Sequence, residues 1–168
     1  MAARRKTWRE KLADKPDWPK FLKLEKRFPC YNAVRKMGAE AGDDIVLANP
    51  SVVLKCMARV PRGRLTTIAE ICRTIARKYR VKGCCTLTTG IFIAIAANAV
   101  EESKKEKGGL KLPYWRTLKA DGGLNEKYPG GVEGHGKLLA GEGFKVARKG
   151  QKRRVENYQD YLFKLQLD

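Results

Sequence analysis

The chain has 168 residues, 43% of them hydrophobic, and carries 36 Lys and Arg against 18 Asp and Glu, a formal net charge of +18. This length suits one domain with its own core, and the composition excludes an intrinsically disordered chain. So large a charge excess favours a polyanionic partner over a merely solvated surface, because self-repulsion otherwise destabilises the compact state. The longest apolar stretch, Thr89 to Val100, is shorter than the roughly 20 residues of a membrane span, and no membrane partner is expected.

Cysteine and histidine usage argues against a metal site. The chain has five cysteines and one histidine, His135, with no Cys-x-x-Cys spacing. An odd number of cysteines in a chain that needs no disulfides predicts free thiols in a reducing compartment, the cytoplasm. Neither a metal nor another cofactor is expected. The N-terminal Ala-Ala-Arg-Arg-Lys run has no apolar segment behind it, so no signal peptide is expected.

Residues 1–49 are predicted to form a basic N-terminal extension. Trp8 and Leu12 fall among its charged residues and indicate short amphipathic pieces laid on a body. Pro16 and Pro19 interrupt any longer helix. Residues 31–49 are predicted to be a loop with one short strand at Asp44 to Leu47.

Residues 50–168 are predicted to form a nucleic-acid-binding domain that opens with three helices. The first begins at Pro50-Ser51 and stops before Pro61. The second begins at a capping box, Thr67 to Glu70, and runs to about Tyr79. The third begins at Thr88 or Thr89 and runs to about Glu102. Helix, basic turn, helix, connection and helix is the outline of a helix-turn-helix domain.

The remainder of this domain is predicted to be mostly irregular. The glycine-rich segment 108–143 is expected to hold one strand near Trp115 to Lys119. Residues 144–148 and 153–156 can pair as a hairpin with Gly150 in the turn. The predicted fold class is therefore mainly α with small β elements, a winged helix-turn-helix-like domain plus the extension.

Several sequence blocks then carry a resemblance to a known family. They are Val60-Pro-Arg-Gly-Arg-Leu-Thr-Thr67 with Glu70-Ile71, Leu112-Pro-Tyr-Trp-Arg116, Gly122-Gly-Leu124, and Lys137-Leu-Leu-Ala-Gly-Glu-Gly143. In order and spacing this chain resembles the alkylguanine-DNA alkyltransferases and the non-enzymatic alkyltransferase-like proteins. The resemblance spans roughly half the chain and implies a DNA-binding fold of that type.

The chain departs from the transferases where their chemistry occurs. They read Pro-Cys-His-Arg, whereas this chain reads Pro-Tyr-Trp-Arg at 113–116. Alkyl transfer needs a thiolate and a base that lowers its pKa, so no catalytic residue and no enzyme activity are expected. A displaced acceptor at Cys84-Cys85 stays open only as a check. The family flips bases with a Tyr and an Arg where this chain has Ile68 and Thr89.

The resemblance to the alkyltransferase-like proteins implies a sensor of alkylated guanine. The predicted base-pocket residues are Tyr114, Trp115, Arg116 and Tyr128, with Trp115 as core the alternative. The predicted helix-turn-helix residues are Thr89, Gly90, Ala94, Ala97 and Asn98. Gly90, Ala94 and Ala97 form a small-residue stripe that suits either a minor groove or tight helix packing, while Ile91, Phe92 and Ile95 are expected in the core.

Basic side chains crowd the second helix and the hairpin and are predicted to bind backbone phosphates, the alternative being a solvated face. They are Arg62, Arg64, Arg73, Arg77, Lys78, Arg80, Lys82, Arg148, Lys149, Arg153 and Arg154. The function predicted is non-enzymatic nucleic-acid binding, with duplex DNA favoured. The alternative is a structural RNA-binding component of a ribonucleoprotein particle such as the ribosome, with structured RNA as partner. Whether a protein partner is recruited stays open.

Overall fold

A computed structural model describes residues 2–15 and 17–168, and Pro16, which was expected to break a helix, lies outside them. Within these ranges the fold is mixed α/β rather than mainly α. Its helices are α1 (Trp8–Leu12), α2 (Tyr31–Arg35), α3 (Pro50–Ala58), α4 (Ile68–Tyr79), α5 (Thr86–Ser103) and α6 (Gly131–Gly141). Its strands are β1 (Lys20–Lys23), β2 (Asp44–Leu47), β3 (Thr66–Thr67), β4 (Gly83–Cys84), β5 (Thr117–Leu118), β6 (Val146–Lys149) and β7 (Lys152–Val155). Short 3₁₀ turns cover Tyr114–Arg116 and Tyr158–Tyr161.

The local signals at the starts of α3 and α4 explain why both helices begin where the sequence predicts. The Asn49 side chain accepts a hydrogen bond from the Ser51 amide, and Pro50 occupies the first helical position, where no amide donor is needed. Thr67 Oγ1 accepts from the Glu70 amide, one half of the predicted capping box. The Glu70 carboxylate binds Arg73 instead of closing the other half. The strand at residues 44–47 and the hairpin β6–β7 are also confirmed.

Two segments predicted to be irregular contain helices. Residues 31–35 form α2, and the glycine-rich segment includes α6, which buries His135 and Leu139. Glycine has low helix propensity, so its density conceals α6 in the sequence. The predicted strand near Trp115 is reduced to β5, after a 3₁₀ turn.

The first sheet joins the N-terminal residues to the helices. Its strand order is β1-β2-β4, with β1 antiparallel to β2 and β2 parallel to β4. Val46 and Ala48 lie in the same core as residues of α3, α4 and α5, and the Trp8 amide donates to the Glu102 carboxylate of α5. Residues before 50 therefore contribute to the main core. Among the residues described, no helix has both the length and the hydropathy to cross a membrane.

A smaller core holds the hairpin against α6. Leu118, Leu139 and Phe144 are buried there together with Val155 of β7. The 119–124 turn is fastened to the hairpin, since the Val155 amide donates to the Gly122 carbonyl and the Leu124 amide donates to the Arg153 carbonyl. This turn and the hairpin are therefore held together by backbone hydrogen bonds.

Gly122 should be the most sensitive glycine of this turn. Its φ is +83°, and an added Cβ would lie 2.2 Å from Tyr158 Cδ1. Gly122→Ala should therefore destabilise the fold by about 2–4 kcal/mol, combining about 1 kcal/mol of backbone strain with overpacking. Gly150→Ala is the matched control, because Gly150 has φ +63° but open space around it. Urea unfolding in which both variants lost equal stability would contradict the packing account.

Candidate nucleic-acid interface

The starts of α4 and α5 open onto one cleft. Thr67, Arg73 and Thr86 line this cleft of 410 Å³ together with Asp121 of the 119–124 turn. In α5 the first backbone hydrogen bond runs from the Thr89 amide to the Cys85 carbonyl, and the first turn holds no acidic side chain. Thr86, the first residue of this 18-residue helix, thus brings the positive end of its dipole to a cleft that also contains the paired side chains of Arg73 and Glu70.

Leu87 and Ile91 lie on the open side of α5, one turn apart, with 50% and 44% of their surfaces exposed. The prediction that Ile91 faces the core is wrong, whereas Phe92 is buried and Ile95 is partly buried. Gly90 lies between the two exposed residues, and its position faces Ile68 Cδ1 of α4. Sequence reasoning missed Leu87 because it began the helix at Thr88 or Thr89. Starting the helix at Thr86 would have placed residues 87 and 91 together at i, i+4 spacing.

The predicted helix-turn-helix residues separate into open and buried positions. Thr89 is fully buried, with Oγ1 3.5 Å from Cys84 Sγ, so it cannot reach a nucleic acid in this conformation. Ala97 is fully buried and Ala94 nearly so, which favours helix packing for those two residues. Asn98 donates to the carbonyls of Ala94 and Lys127, at 2.8 and 3.1 Å, and so holds the loop that carries Lys127 against α5.

The predicted base-pocket aromatics are brought together, but as a filled cluster rather than an open pocket. Tyr114 and Tyr128 are 1% and 3% exposed, with ring centroids 5.2 Å apart. Tyr114 Oη donates to the Glu101 carboxylate at 2.7 Å, and Tyr128 Oη donates to the Thr117 carbonyl at 2.8 Å. Burial, together with the hydrogen bond to Glu101, raises the pKa of Tyr114. The expected pocket is corrected accordingly, because the aromatic rings themselves occupy the space for a base.

Arg116, also predicted to line the pocket, forms a buried ion pair instead. Its Nε donates to the Glu142 carboxylate at 2.9 Å, and its Nη1 donates to the Val60 carbonyl at 2.8 Å. The two side chains are only 14% and 6% exposed. Arg116 therefore joins the end of α3, the Tyr114–Arg116 turn and α6, a structural role that the sequence did not reveal.

His135 fastens the same region from the side of α6. Its Nδ1 accepts from the Asn125 amide at 3.0 Å, so Nε2 carries the proton and donates to the Trp115 carbonyl at 2.8 Å. Burial lowers the pKa of His135 to about 4, against a smaller opposing effect of the Trp115 carbonyl. The imidazole is thus neutral at pH 7 and acts as a two-sided clamp.

The predicted phosphate-binding residues fall into four groups. Arg62 and Arg64 are exposed in the turn after α3, and Arg73 lines the cleft while its guanidinium pairs with Glu70. Arg77, Lys78, Arg80 and Lys82 are exposed around the far end of α4. Arg148 and Lys149 are exposed at the hairpin, but Arg153 lies 3.8 Å from Glu133 and Arg154 donates to the Asp121 carbonyl.

The hairpin group borders the helix starts. Asp121 lines both the cleft at α4 and α5 and a second cleft of 620 Å³ beneath the hairpin, which contains Lys119, Arg148 and Lys152. The two clefts therefore adjoin at the 119–124 turn. The far end of α4 is roughly 18 Å along the helix axis from its start, so that group contributes to a different part of the surface.

The five cysteines are free and buried. Burial raises the pKa of Cys30 and of Cys56 to about 12. Cys84 and Cys85, considered as a displaced acceptor, are 0% and 4% exposed. Thiols held away from solvent do not suit a nucleophile that must meet a base in a duplex.

No protein-family model and no curated protein matches the chain. Among solved structures it is similar to S. pombe Atl1 in complex with damaged DNA containing O6-carboxymethylguanine, at 18% identity and a TM-score of 0.48, over 69% of this chain and 94% of that one. It is also similar to S. pombe ATL in complex with DNA, at 17% identity and a TM-score of 0.49, with the same coverage.

Stability should fall as pH is lowered from about 7 to about 4, because of His135. The unfolded chain binds this proton with a pKa of 6.5, whereas the folded chain binds it only at about 4. Acid therefore favours the unfolded state, by up to about 3 kcal/mol across this window. Since His135 is the single histidine, His135→Gln should flatten the dependence between pH 7 and 5 in urea unfolding. A variant that kept the wild-type slope would contradict this assignment.

Removing Arg116 should leave the Glu142 carboxylate buried without its partner. Arg116→Met should therefore cost about 3–5 kcal/mol of unfolding free energy, and Arg116→Met with Glu142→Leu should recover part of it. Arg73→Met is the control, because the Arg73–Glu70 pair is 40% and 34% exposed and should be worth about 1 kcal/mol or less. Equal losses for the Arg116 and Arg73 single variants would refute a structural role for the buried pair.

Proposed function

We propose that the chain is a non-enzymatic nucleic-acid-binding protein of alkyltransferase-like type, which binds duplex DNA with the face formed by the starts of α4 and α5. The open side of α5 carries this proposal. The helix has no charged side chain from Thr86 to Val100, although the chain as a whole has a net charge of +18. Its first residue, Thr86, lines the cleft at the starts of α4 and α5. A helix start without an acidic residue attracts phosphate through its dipole and its amides.

Binding of this kind reads the shape and backbone of a duplex more than its sequence. Residues 86–97 contain no Arg, Lys, Asn or Gln to read base edges in a major groove. Gly90 adds no side chain between the exposed Leu87 and Ile91, and a Cβ there would lie 3.8 Å from Ile68 Cδ1 of α4. Approach through a minor groove, with phosphate contacts on either side, fits this face.

The hairpin acts as the wing of a winged helix-turn-helix in this proposal. Arg148, Lys149 and Lys152 are exposed on β6 and β7, and Arg148 and Lys152 line the cleft that adjoins the helix starts through Asp121. Arg153 and Arg154 hold the hairpin in place through Glu133 and Asp121. The exposed cations, and not these two, supply the phosphate contacts.

The absence of alkyl transfer belongs to the same proposal. Tyr114 occupies the position of the family's cysteine, and its hydroxyl is held by Glu101. A phenol with a raised pKa in a closed core is a poor nucleophile. Incubation with an alkylated oligonucleotide should therefore produce no gain in protein mass.

Sensing of an alkylated guanine is the finer function that the family resemblance implies. It would require a base-sized space at Tyr114 and Tyr128, whose rings pack against each other. The closed cluster therefore supports binding of undamaged duplex with little preference for the lesion. In a competition titration at fixed salt, a duplex with one O6-alkylguanine should compete within about threefold of the undamaged duplex, and structured RNA should compete less well.

Neutralising the hairpin should weaken the dependence of duplex binding on salt. Replacing Arg148, Lys149 and Lys152 with Gln should reduce the slope of log affinity against log salt by about two to three. The charge-matched control replaces Lys105, Lys107 and Lys111, which follow the other end of α5, roughly 27 Å away along the helix axis. Fluorescence anisotropy measures both slopes. The proposal fails if the two triple variants lose equally, or if structured RNA competes better than duplex DNA.

A further inference from the structure

Leu87 and Ile91 are exposed apolar side chains on a strongly cationic protein, and the fold leaves them without a partner. Within the described chain five large hydrophobic residues are exposed, and Leu87 and Ile91 are two of them. We propose that they form an apolar wedge that enters the minor groove of the bound duplex and unstacks one base step without extruding a base. This inference rests on the proposed duplex binding and goes beyond it.

The two side chains form one continuous apolar surface. They are four residues apart on a helix, so they lie one turn apart on the same side. Gly90 lies between them, and a Cβ added there would lie 3.8 Å from Ile68 Cδ1 at the start of α4. Leu87 and Ile91, 50% and 44% exposed, are thus separated on the open side of α5 by a residue without a side chain, an arrangement that suits a wedge.

Cationic groups at both ends of this surface favour a polyanion as its occupant. At the Leu87 end, the helix start adds its positive dipole, and the cleft that Thr86 shares is lined by the exposed Lys36 and by Arg73, whose guanidinium pairs with Glu70. At the other end, Lys127 is exposed, and its carbonyl is bound by Asn98 of α5. A second copy of the chain would bring another net charge of +18 to the same place, so self-association on this face is disfavoured.

The chemistry of the wedge points to unstacking rather than to base readout. Leucine and isoleucine offer neither donors nor acceptors to base edges, whereas apolar side chains between base steps partly unstack and kink a duplex. The rings of Tyr114 and Tyr128 pack against each other, so the aromatic cluster that the sequence predicted as a base pocket does not receive a flipped nucleotide. The expected substrate class is therefore a deformable duplex, richest in flexible pyrimidine–purine steps.

The test uses the full chain with a 20-base-pair duplex that carries 2-aminopurine beside a central TA step and a donor–acceptor dye pair at its ends. Wild-type protein should raise the 2-aminopurine fluorescence severalfold and shorten the end-to-end distance. Leu87→Ala with Ile91→Ala should lose both signals and about tenfold in affinity, with the salt slope unchanged. Leu87→Met with Ile91→Met, which keeps the apolar bulk, should retain both signals.

Leu22→Ala is the control, because Leu22 is an apolar residue on β1 that is 39% exposed and does not line the cleft at α4 and α5, and it should change nothing. Thermal melting establishes that every variant is folded.

Duplex binding with no fluorescence gain, or a full gain in the alanine variant, would overturn the wedge while leaving the proposed function intact. A loss of affinity when deoxyuridine replaces thymidine would place the helix in the major groove, where the thymine methyl group lies. A wild-type dimer that is absent in the alanine variant would instead make this face an interface between two copies of the chain. Either result overturns the inference. No binding to any duplex would instead refute the proposed function.

Discussion

The fold depends on one helix that cannot face water on most of its sides. Between Thr86 and Val100, α5 has no charged residue, and a helix that is apolar all round must be buried. The first sheet, α1, α3, α4 and the Tyr114–Arg116 turn supply that burial, which gives the N-terminal residues a place in the core. The side that carries Leu87 and Ile91 is the part of α5 that these elements leave open, and the candidate interface follows from it.

Local signals in the sequence were sufficient for elements that carry their own start and stop. Pro50, Thr67 and Gly150 each satisfy a backbone requirement within a few residues of their positions, and α3, α4 and the hairpin lie where these residues indicate. In contrast, α6 was missed because its glycines lower helix propensity and its stability comes from tertiary contacts of His135 and Leu139. The start of α5 was misplaced because its N-cap, Cys85, makes no side-chain hydrogen bond that a sequence could reveal.

Long-range contacts explain why side chains of the protein itself fill the predicted base pocket. They also explain why the sequence did not reveal the exposure of Leu87 and Ile91. Nothing near Tyr114 in the sequence identifies Glu101 as the partner of its hydroxyl, and nothing near Arg116 identifies Glu142. With these partners, residues 113–116, where the sequence resembles a transferase active site, connect neighbouring elements of the fold. His135 of α6 binds the Trp115 carbonyl in the same turn. The phosphate-binding residues stay a prediction: Arg148 and Lys149 are exposed, as such contacts require, whereas Arg153 lies near Glu133 and Arg154 donates to the Asp121 carbonyl.

The proposed binding of a duplex depends on both the charge and the shape of the protein. In the proposed function, the excess of cations supplies affinity for duplex DNA, and the uncharged start of α5 sets how closely the duplex approaches. Hydrogen exchange of the protein with and without an undamaged duplex tests this account most directly. We expect the duplex to slow amide exchange at residues 86–91, 119–124 and 146–152, with little change in α1 and at residues 104–111. Protection concentrated in α1 and residues 104–111, with residues 86–91 unchanged, would contradict it.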